Sequence, residues 1–190
     1  MVVQLGQPIR TQRLVLRSFE REDLDDLAEI FRDDSVNRYL YSVPRTREQT
    51  LEVLEKRITQ DSATQIDNVL FVAIELPSAQ RLIGDFMLRW HDDEHHQGEM
   101  GGSLNPEFHG QGYAPEIYGA LLELAFTRFD LHRVVGRCDG RNAASVRSLE
   151  KAGLRQEAHF VENEFVKGEW TDEIVLAILR RDWVSSHDSR

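Results

Sequence analysis

Cysteine is almost absent from this 190-residue sequence, which has only Cys138, so an internal disulfide is excluded. No run of about 18 apolar residues is present, and a membrane-spanning helix is therefore not expected. The first ten residues lack the charged and then apolar regions of a secretory signal. Together these absences predict a cytoplasmic protein that does not bind a membrane.

Positive charge is also scarce. Lys and Arg number 23 against 33 Asp and Glu, which gives a formal net charge of −10 at pH 7. This balance disfavours nucleic-acid binding, which needs basic side chains for the phosphates, and it is compatible with a cationic substrate such as an amine. A role in solubility explains the charge equally well.

Metal ligands and reactive side chains are few. His91, His95 and His96 lie in a polar connector, where we expect solvated side chains and no metal site. Cys138 lies in an apolar stretch and is expected to be a core residue rather than a nucleophile.

The hydrophobic pattern predicts alternating strands and helices. The predicted strands cover residues 13–17, 69–75, 82–90, 99–104, 133–139, 158–166 and 172–179. The predicted helices cover residues 22–32, 46–58, 117–129 and 142–152, with a helical turn at 36–41. Thr46 and Gln49 have the spacing of a capping box, and Asn142 is expected to cap a helix that Gly153 ends. We therefore expect a single α+β domain over residues 1–190, with a mixed sheet of about seven strands and helices on both faces.

The predicted strand at 99–104 has unusual features. Alternation places the odd-numbered residues, beginning with Glu99, on a small polar face and the even-numbered residues on the other. Gly101 and Gly102 are consecutive, which often marks a bulge or a place where a ligand approaches the backbone. Asn105 and Pro106 then end the strand, because proline has no N–H for the sheet.

A glycine loop follows this strand and precedes a helix. Gly110 and Gly112 can adopt positive φ and turn successive N–H groups into one concavity, which suits an anion. The start of the 117–129 helix adds free amides and the positive end of a helix dipole. The Walker pattern is excluded, and Pro115 replaces the third glycine of a dinucleotide motif. Taken alone, the loop is also compatible with an ordinary tight turn.

Four motifs in this order resemble the GCN5-related N-acetyltransferase (GNAT) superfamily, and most closely its RimJ and RimL branch. They are the Thr-x-Arg-Leu-x-Leu-Arg start at 11–17, the strand and glycine loop at 99–116, the Asn-x-x-Ser helix at 142–154 and Gly-x-Trp-x-Asp at 168–172. The resemblance covers nearly the whole chain. It implies a GNAT-like fold and an N-acetyltransferase that uses acetyl-CoA.

The resemblance also implies which residues hold the cofactor. The loop of the family usually opens with Gln or Arg, and His109 stands at that position here. Asn142 and Ser145 match positions that approach the pantetheine arm and the thioester sulfur. The residues implied to bind acetyl-CoA are His109, Gly110, Gln111, Gly112, Tyr113, Ala114, Asn142 and Ser145.

Acetyl transfer to an amine requires a base and stabilisation of the leaving thiolate. Glu99 is the candidate base, with a structural carboxylate or an ammonium anchor as alternatives. A bulge at Gly101 and Gly102 could leave a backbone amide free for the oxyanion. Many relatives have a tyrosine for the thiolate where this chain has Leu149, so Ser145 is the candidate, with a purely cofactor-binding role as the alternative.

The partners expected are acetyl-CoA and an amine acceptor, with a homodimer as one possible assembly. The branch suggests a protein N-terminal α-amine as acceptor and direct transfer within a ternary complex. The alternatives are a small-molecule amine, such as a polyamine, amino sugar or antibiotic, and a catalytically silent CoA-binding sensor. A nicotinamide or flavin oxidoreductase is disfavoured because the dinucleotide motif is incomplete.

Overall fold

The computed structural model describes residues 3–59, 62–63, 69–90 and 94–187. The strands are β1 (Val3–Gln4), β2 (Ile9–Arg10), β3 (Val15–Arg17), β4 (Ser62–Ala63), β5 (Val69–Leu76), β6 (Arg81–Trp90), β7 (Gln97–Leu104), β8 (Arg133–Asp139), β9 (Arg155–Val166) and β10 (Glu169–Leu179). The helices are α1 (Leu24–Arg32), α2 (Asp34–Asn37), α3 (Arg47–Thr59), α4 (Tyr113–Glu123), α5 (Ala143–Lys151) and α6 (Arg180–His187). Within these ranges no helix is both long and apolar enough to cross a membrane.

Eight strands form the main sheet in the order β2-β3-β5-β6-β7-β8-β10-β9, and β1 pairs separately with β4. Neighbouring strands are antiparallel except for the parallel pair β7 and β8. The predicted α+β fold with a mixed, mostly antiparallel sheet is confirmed. The additional strand is β2, whose two residues are too few for a periodic signal.

Helices cover both faces of the sheet, as predicted. On one face, α4 and α5 pack on the even-numbered residues of β7, and this cluster includes Met100, Tyr118 and Leu149. On the other face, α1 and α3 form a smaller cluster around Ile30 and Leu54. The alternation of side chains along β7 therefore separates a buried face from the face that carries Glu99.

The sheet opens between β7 and β8. These strands pair only from Gln97 to Glu99, opposite residues 133–135, whereas β7 continues to Leu104 paired with β6 alone. The β6–β7 register is continuous from Gly98 to Leu104, so the predicted bulge at the double glycine is wrong. Beyond Glu99, every second residue of β7 instead turns its backbone groups toward the opening rather than toward β6.

Two helix starts differ from the predicted positions. Helix α4 begins at Tyr113 rather than at residue 117, because Pro115 is tolerated in a first turn whose N–H groups have no helical partner. It continues beyond Glu123 as a π-helical segment over Leu124–Arg128. The predicted turn at 36–41 is instead α2, because the Asp33 side chain accepts from two backbone N–H groups there, at 2.8 and 3.2 Å.

Candidate active site

A cleft of about 400 Å³ opens beside the end of β7. Its walls come from β7, the glycine loop, the first turns of α4 and α5, and the segment around α2. It brings together seven of the predicted site residues: His109, Gly110, Gly112, Tyr113, Ala114, Asn142 and Ser145. Glu99 and Gln111 are not among the lining residues.

The glycine loop has the backbone conformation that the sequence predicts. Gly110 and Gly112 have φ of +75° and +80°, a region that other residues rarely adopt. A Cβ at Gly110 would meet no atom within 4 Å, so this position needs glycine for its φ and not for space. Gly112 is the N-cap of α4 and offers no side chain to the first turn, which leaves amides available for an anion.

The start of α4 is held by the segment that precedes β3. Glu116 accepts from the Thr11 hydroxyl at 2.5 Å, the Arg13 backbone N–H at 2.9 Å and Arg13 Nε at 2.8 Å. Arg13 also donates to the Gln111 carbonyl at 2.9 Å and stacks on the Tyr113 ring at 4.3 Å. Partial burial by itself would raise the pKa of Glu116, but these hydrogen bonds outweigh it and lower the pKa. The motif at 11–17 thus fixes the glycine loop.

His109 fastens the loop to the end of β7. Its Nε2 lies 3.0 Å from the Leu104 carbonyl oxygen, where a ring N–H donates to it. The preceding turn is fixed by buried Asn105, whose Oδ1 accepts from the Glu107 N–H at 3.0 Å and whose Nδ2 donates to Glu29 at 2.9 Å. The side chain of His109 therefore has a structural partner within the protein.

Asn142 caps α5 as predicted. Its Oδ1 accepts from the Ser145 N–H at 3.1 Å, which places the serine on the first turn of the helix and at the cleft. The loop before it is held by the Gly140 N–H, which donates to the Asp172 carbonyl at 2.8 Å. The Gly-x-Trp-x-Asp segment thus supports the cap of α5.

Ser145 has two polar neighbours, the hydroxyl of Tyr118 on α4 and the thiol of Cys138 on β8. The Tyr118 ring packs edge-on against Phe86, with ring centroids 5.5 Å apart. Phe86 in turn lies against Gly102, where a Cβ would come within 2.4 Å of its ring. The absence of a side chain at Gly102 leaves space for Phe86, and Phe86 in turn packs against the ring of Tyr118.

Leu149 is a core residue. It is buried against Gly136 of β8, where a Cβ would lie 2.8 Å from both of its methyl carbons. Leu149 therefore serves the packing between α5 and the sheet.

Glu99 lies at the point where β7 and β8 part. Its side chain is 19% exposed, and its Oε2 is 3.8 Å from Nε of Arg137. The same guanidinium is 3.1 Å from Glu173, which also accepts from Asn163 at 3.1 Å. The carboxylates of Glu99 and Glu173 thus share one cation on the face of the sheet opposite α4.

Among the described residues, no group of three or more His, Cys, Asp or Glu side chains is arranged to hold a metal ion. His91 lies outside the described residues. His96 is exposed, and its Nδ1 is 3.1 Å from the Asp130 carbonyl oxygen.

Several cleft residues were not identified from the sequence. Tyr118 looks like an ordinary buried position in the helical pattern, and nothing local indicates its contact with Ser145. Arg147 and Lys151 also line the cleft. Their i, i+4 spacing on α5, after the Asn142 cap, would have placed both on one face of the helix.

The family model described as "Acetyltransferase (GNAT) domain" matches residues 13–155. The chain is 31% identical over 175 residues to the uncharacterized N-acetyltransferase YnaD of Bacillus subtilis, covering 92% of this chain and 98% of that protein. A GNAT acetyltransferase from Bacillus anthracis superposes with a TM-score of 0.82 at 29% identity, covering 92% and 99% of the two chains.

The spermidine N-acetyltransferase from Vibrio cholerae, solved with CoA and spermine, has the same fold, with a TM-score of 0.76 at 24% identity over 92% of this chain and 99% of that one. The geometry of the glycine loop, the opening of the sheet after Glu99 and these matches all indicate the same family. The chain belongs to the GNAT family of N-acetyltransferases, which take their acetyl group from acetyl-CoA.

Proposed function

We propose that the chain transfers the acetyl group of acetyl-CoA directly to a primary amine, within a complex that holds both substrates and without a covalent enzyme intermediate. The observation that carries this proposal is the parting of β7 and β8 directly after Glu99. Glu99 lies near the start of β7, and the glycine loop lies beyond the end of this strand. An acetyl-CoA molecule extended along β7 would therefore reach both. We propose that residues 1–190 act as one catalytic domain in the cytoplasm.

For the donor, we propose that the backbone amides of residues 110–114 bind the pyrophosphate. The two positive-φ glycines and the uncapped start of α4 supply N–H groups and the positive end of a helix dipole. Arg147 and Lys151 add cationic side chains for the phosphates, and neither forms an ion pair within the described ranges. His109 would contribute its backbone, since its ring is bound to Leu104.

Asn142 and Ser145 are proposed to hold the pantetheine and the thioester. The Oδ1 of Asn142 is used by the helix cap, which leaves its Nδ2 to donate to the pantetheine amide. Ser145 would donate a hydrogen bond to sulfur as the thiolate departs. A hydrogen bond to a charged atom contributes about 1.5–3 kcal/mol, which corresponds to roughly 10- to 100-fold in rate.

Glu99 is proposed to take the proton of the acceptor ammonium, directly or through a water molecule. An α-ammonium has a reference pKa of about 7.7–8.0 and a lysine-like ammonium about 10.4, so the amine is largely protonated at neutral pH. Once neutral, its nitrogen forms a bond to the acetyl carbon, and the carbon–sulfur bond breaks with its electron pair on sulfur. The proton that the nitrogen then loses balances the protonation of the thiolate, so CoA leaves as the thiol. Backbone N–H groups of β7 that face the opening are proposed to stabilise the oxyanion.

Two acceptor classes have support. The likeness to the RimJ and RimL branch favours the α-amine of a protein N-terminus. The carboxylates of Glu99 and Glu173 around Arg137, together with a net charge of −10, favour a small amine with additional positive charge. The Vibrio cholerae neighbour is a spermidine N-acetyltransferase, so polyamines are the first members of the second class to test.

The proposal is tested by following CoA release with a panel of acceptors. The panel contains spermidine, spermine, an amino sugar, and peptides with free or blocked N-termini. We expect turnover with one class of acceptor. Acetylation of the peptide with a free N-terminus but not of the blocked peptide would identify the α-amine, rather than a side-chain amine, as the acceptor. No transfer to any member of the panel would contradict the proposal and favour the alternative of a CoA-binding protein without catalysis.

The role of Glu99 is tested in the same assay with Glu99→Gln from pH 6 to 9. We expect turnover to fall by about 10²–10⁴-fold, the usual contribution of a general base. Glu123→Gln, an exposed change on α4, is the matched control and should keep wild-type turnover. Full turnover of Glu99→Gln across this pH range would remove Glu99 as the base.

A further inference from the structure

The segment at the end of α2, residues 37–42, crosses the opening of the sheet. At its near end, α2 directly follows α1, which packs on β5 and β6 in the cluster around Ile30. At its far end, the segment is bonded to the β9–β10 hairpin. Because β7 and β8 lie between β6 and β10 in the sheet, the segment passes over both of them. We call it the 37–42 bridge.

Asn37 fixes the near end of the 37–42 bridge. The residue is 4% exposed, and its Nδ2 donates to the carbonyl oxygens of Phe31 and Asp33, both at 2.9 Å. Its Oδ1 accepts from the Ser42 hydroxyl at 2.8 Å, and its backbone oxygen accepts from the Leu40 N–H at 3.0 Å. Both N–H groups of this buried amide are therefore used to hold the bridge against the end of α1.

Two hydrogen bonds fasten the far end of the 37–42 bridge to the hairpin. The Tyr41 hydroxyl donates to the Glu164 carboxylate, which can only accept. Lys167 Nζ donates to the Asn37 carbonyl oxygen at 2.5 Å. Tyr41 is 72% exposed, so its hydroxyl belongs to this link and not to the packing of a core. The bridge is thus attached on both sides of the opening.

The 37–42 bridge lies over the part of β7 that follows Glu99. Two of its residues, Tyr39 and Leu40, line the cleft together with Gly102 and Ser103 of β7. These two β7 residues belong to the stretch that has already parted from β8. The bridge therefore forms one wall of the cleft at the opening of the sheet.

The far end of the 37–42 bridge is on the same face of the sheet as the candidate base. Glu164 pairs with Thr171, whose side chain shares a face with that of Glu173, two residues along β10. Glu173 and Glu99 lie 3.1 and 3.8 Å from the guanidinium of Arg137. An amine that approaches Glu99 from this face therefore passes beside the bridge.

A passage of this kind distinguishes amines by their shape. The α-amine of a peptide is attached to a branched carbon that carries a side chain and a carbonyl group, so an extended peptide needs an open groove. An amine at the end of an unbranched chain has only methylene groups next to its nitrogen. Such a chain can enter a passage that is too narrow for a peptide.

We propose that the 37–42 bridge restricts the acceptor to a primary amine at the end of an unbranched chain, such as a polyamine, and excludes the N-terminus of a protein. Tyr41 and Lys167 hold the bridge closed and thereby determine specificity. This inference rests on the proposed transfer of acetyl beside Glu99 and selects one of its two acceptor classes. The reaction itself is unchanged: the acetyl group replaces one hydrogen on the amine nitrogen, and CoA leaves as the thiol.

The test compares two acceptors in the wild type and in variants that loosen the 37–42 bridge. The acceptors are spermidine and a lysine-free tetrapeptide with a free N-terminus, and CoA release from acetyl-CoA is followed for each. Tyr41→Phe and Lys167→Met each remove one hydrogen bond and keep the approximate size of the side chain. The wild type should have a kcat/KM for spermidine at least about 100-fold above that for the peptide, since two hydrogen bonds oppose opening.

The variants should gain activity toward the peptide. A peptide reaches Glu99 only when the bridge is open, so its kcat/KM scales with the open fraction. Each hydrogen bond opposes opening by about tenfold. We therefore expect the kcat/KM for the peptide to rise about tenfold in each single variant and about 100-fold in the double variant. The kcat/KM for spermidine should stay within about threefold of the wild-type value, because spermidine does not need the open state.

Val43→Ala is the matched control. It shortens a side chain that is 62% exposed and lies one residue beyond the bridge, so both kcat/KM values should stay at those of the wild type. General damage to the fold by Tyr41→Phe and Lys167→Met would lower the activity with both acceptors. The predicted gain with one acceptor alone is a result that such damage does not produce.

The outcomes separate this inference from the proposed function. Equal use of the peptide and spermidine by the wild type, or an unchanged ratio in the double variant, would overturn the inference and leave the proposed function intact. Acetylation of an amino sugar but not of spermidine would also overturn it, because the nitrogen of an amino sugar is attached to a branched ring carbon. A wild-type protein that transfers acetyl to no amine would contradict the proposed function itself.

Discussion

Replacing Gly102 by alanine should destabilise the protein, whereas the same change at the adjacent Gly101 should not. A Cβ built at Gly102 lies 2.4 Å from Cγ of Phe86 and 2.6 Å from the backbone oxygen of Asp85. A Cβ built at Gly101 has its nearest neighbour, Cε of Met87, at 3.7 Å, which is ordinary contact. The two glycines are neighbours in one strand but point to opposite faces of the sheet.

The magnitudes follow from these contacts. Overpacking a core costs about 1–3 kcal/mol, and Gly102→Ala should lie in the upper part of this range because the Asp85 backbone cannot rotate away. Gly101 has no positive φ, so alanine fits there and should stabilise by about 0.4–1 kcal/mol through the unfolded state. The variants should then differ by about 2–4 kcal/mol, or about 5–15 °C in melting temperature.

The assay is urea and thermal denaturation of both variants and the wild type, in the absence of acetyl-CoA so that stability alone is compared. We expect the order Gly101→Ala, wild type, Gly102→Ala, from highest to lowest midpoint. Equal midpoints for the two variants, or a lower midpoint for Gly101→Ala, would refute the account of Gly102 as the space that Phe86 occupies.

Three further predictions concern charged and titratable groups. Glu116→Ala should raise the Kd for acetyl-CoA about tenfold in calorimetry, because it releases the start of α4, whereas exposed Glu123→Ala should leave the Kd within about twofold. Because the pKa of Glu116 is lowered, the contribution of its carboxylate to holding α4 is present above the usual carboxyl pKa and is lost as pH falls below it. Asp85→Ala should cost about 3–5 kcal/mol in urea denaturation, since it leaves the guanidinium of Arg57, 11% exposed, without its partner, and a loss below about 1 kcal/mol would contradict a buried ion pair. Burial raises the pKa of Cys138 to about 11, so a thiol reagent at pH 8 should react about 100-fold more slowly with the native than with the denatured protein, and equal rates would show that the thiol is not buried.

Local signals predicted the elements that frame the cleft. Asn142 was expected to cap a helix that Gly153 ends, and the structure has this cap and a φ of +101° at Gly153. Thr46 and Gln49 form the predicted capping box, with bonds of 2.9 and 3.3 Å. These features depend on residues three to eleven positions apart, so one short stretch of sequence contains the information for each.

The parts of the site that the sequence did not predict depend on contacts between distant segments. The bond between Arg13 and Glu116 joins residues 103 positions apart, and Tyr118 meets Ser145 across two helices. The opening of the sheet after Glu99 results from how two strands diverge, which no single strand pattern encodes. Of the two interpretations of the double glycine, the bulge is wrong, because the contact of Gly102 with Phe86 on the neighbouring strand could not be identified from the sequence.

Whether the loop at residues 109–114 holds acetyl-CoA is tested most directly by calorimetric titration of three proteins: the wild type, Gly110→Val and Gly119→Ala. Gly110 has φ of +75° and open space around it, so valine strains the loop backbone without a clash, whereas Gly119 lies within α4 with no positive φ and no atom within 4 Å of a built Cβ. We predict micromolar binding of acetyl-CoA and none of NADH by the wild type, the same affinity in Gly119→Ala, and at least about tenfold weaker binding in Gly110→Val. No acetyl-CoA binding by the wild type, or equal affinity in Gly110→Val, would contradict the assignment of this loop as the cofactor site.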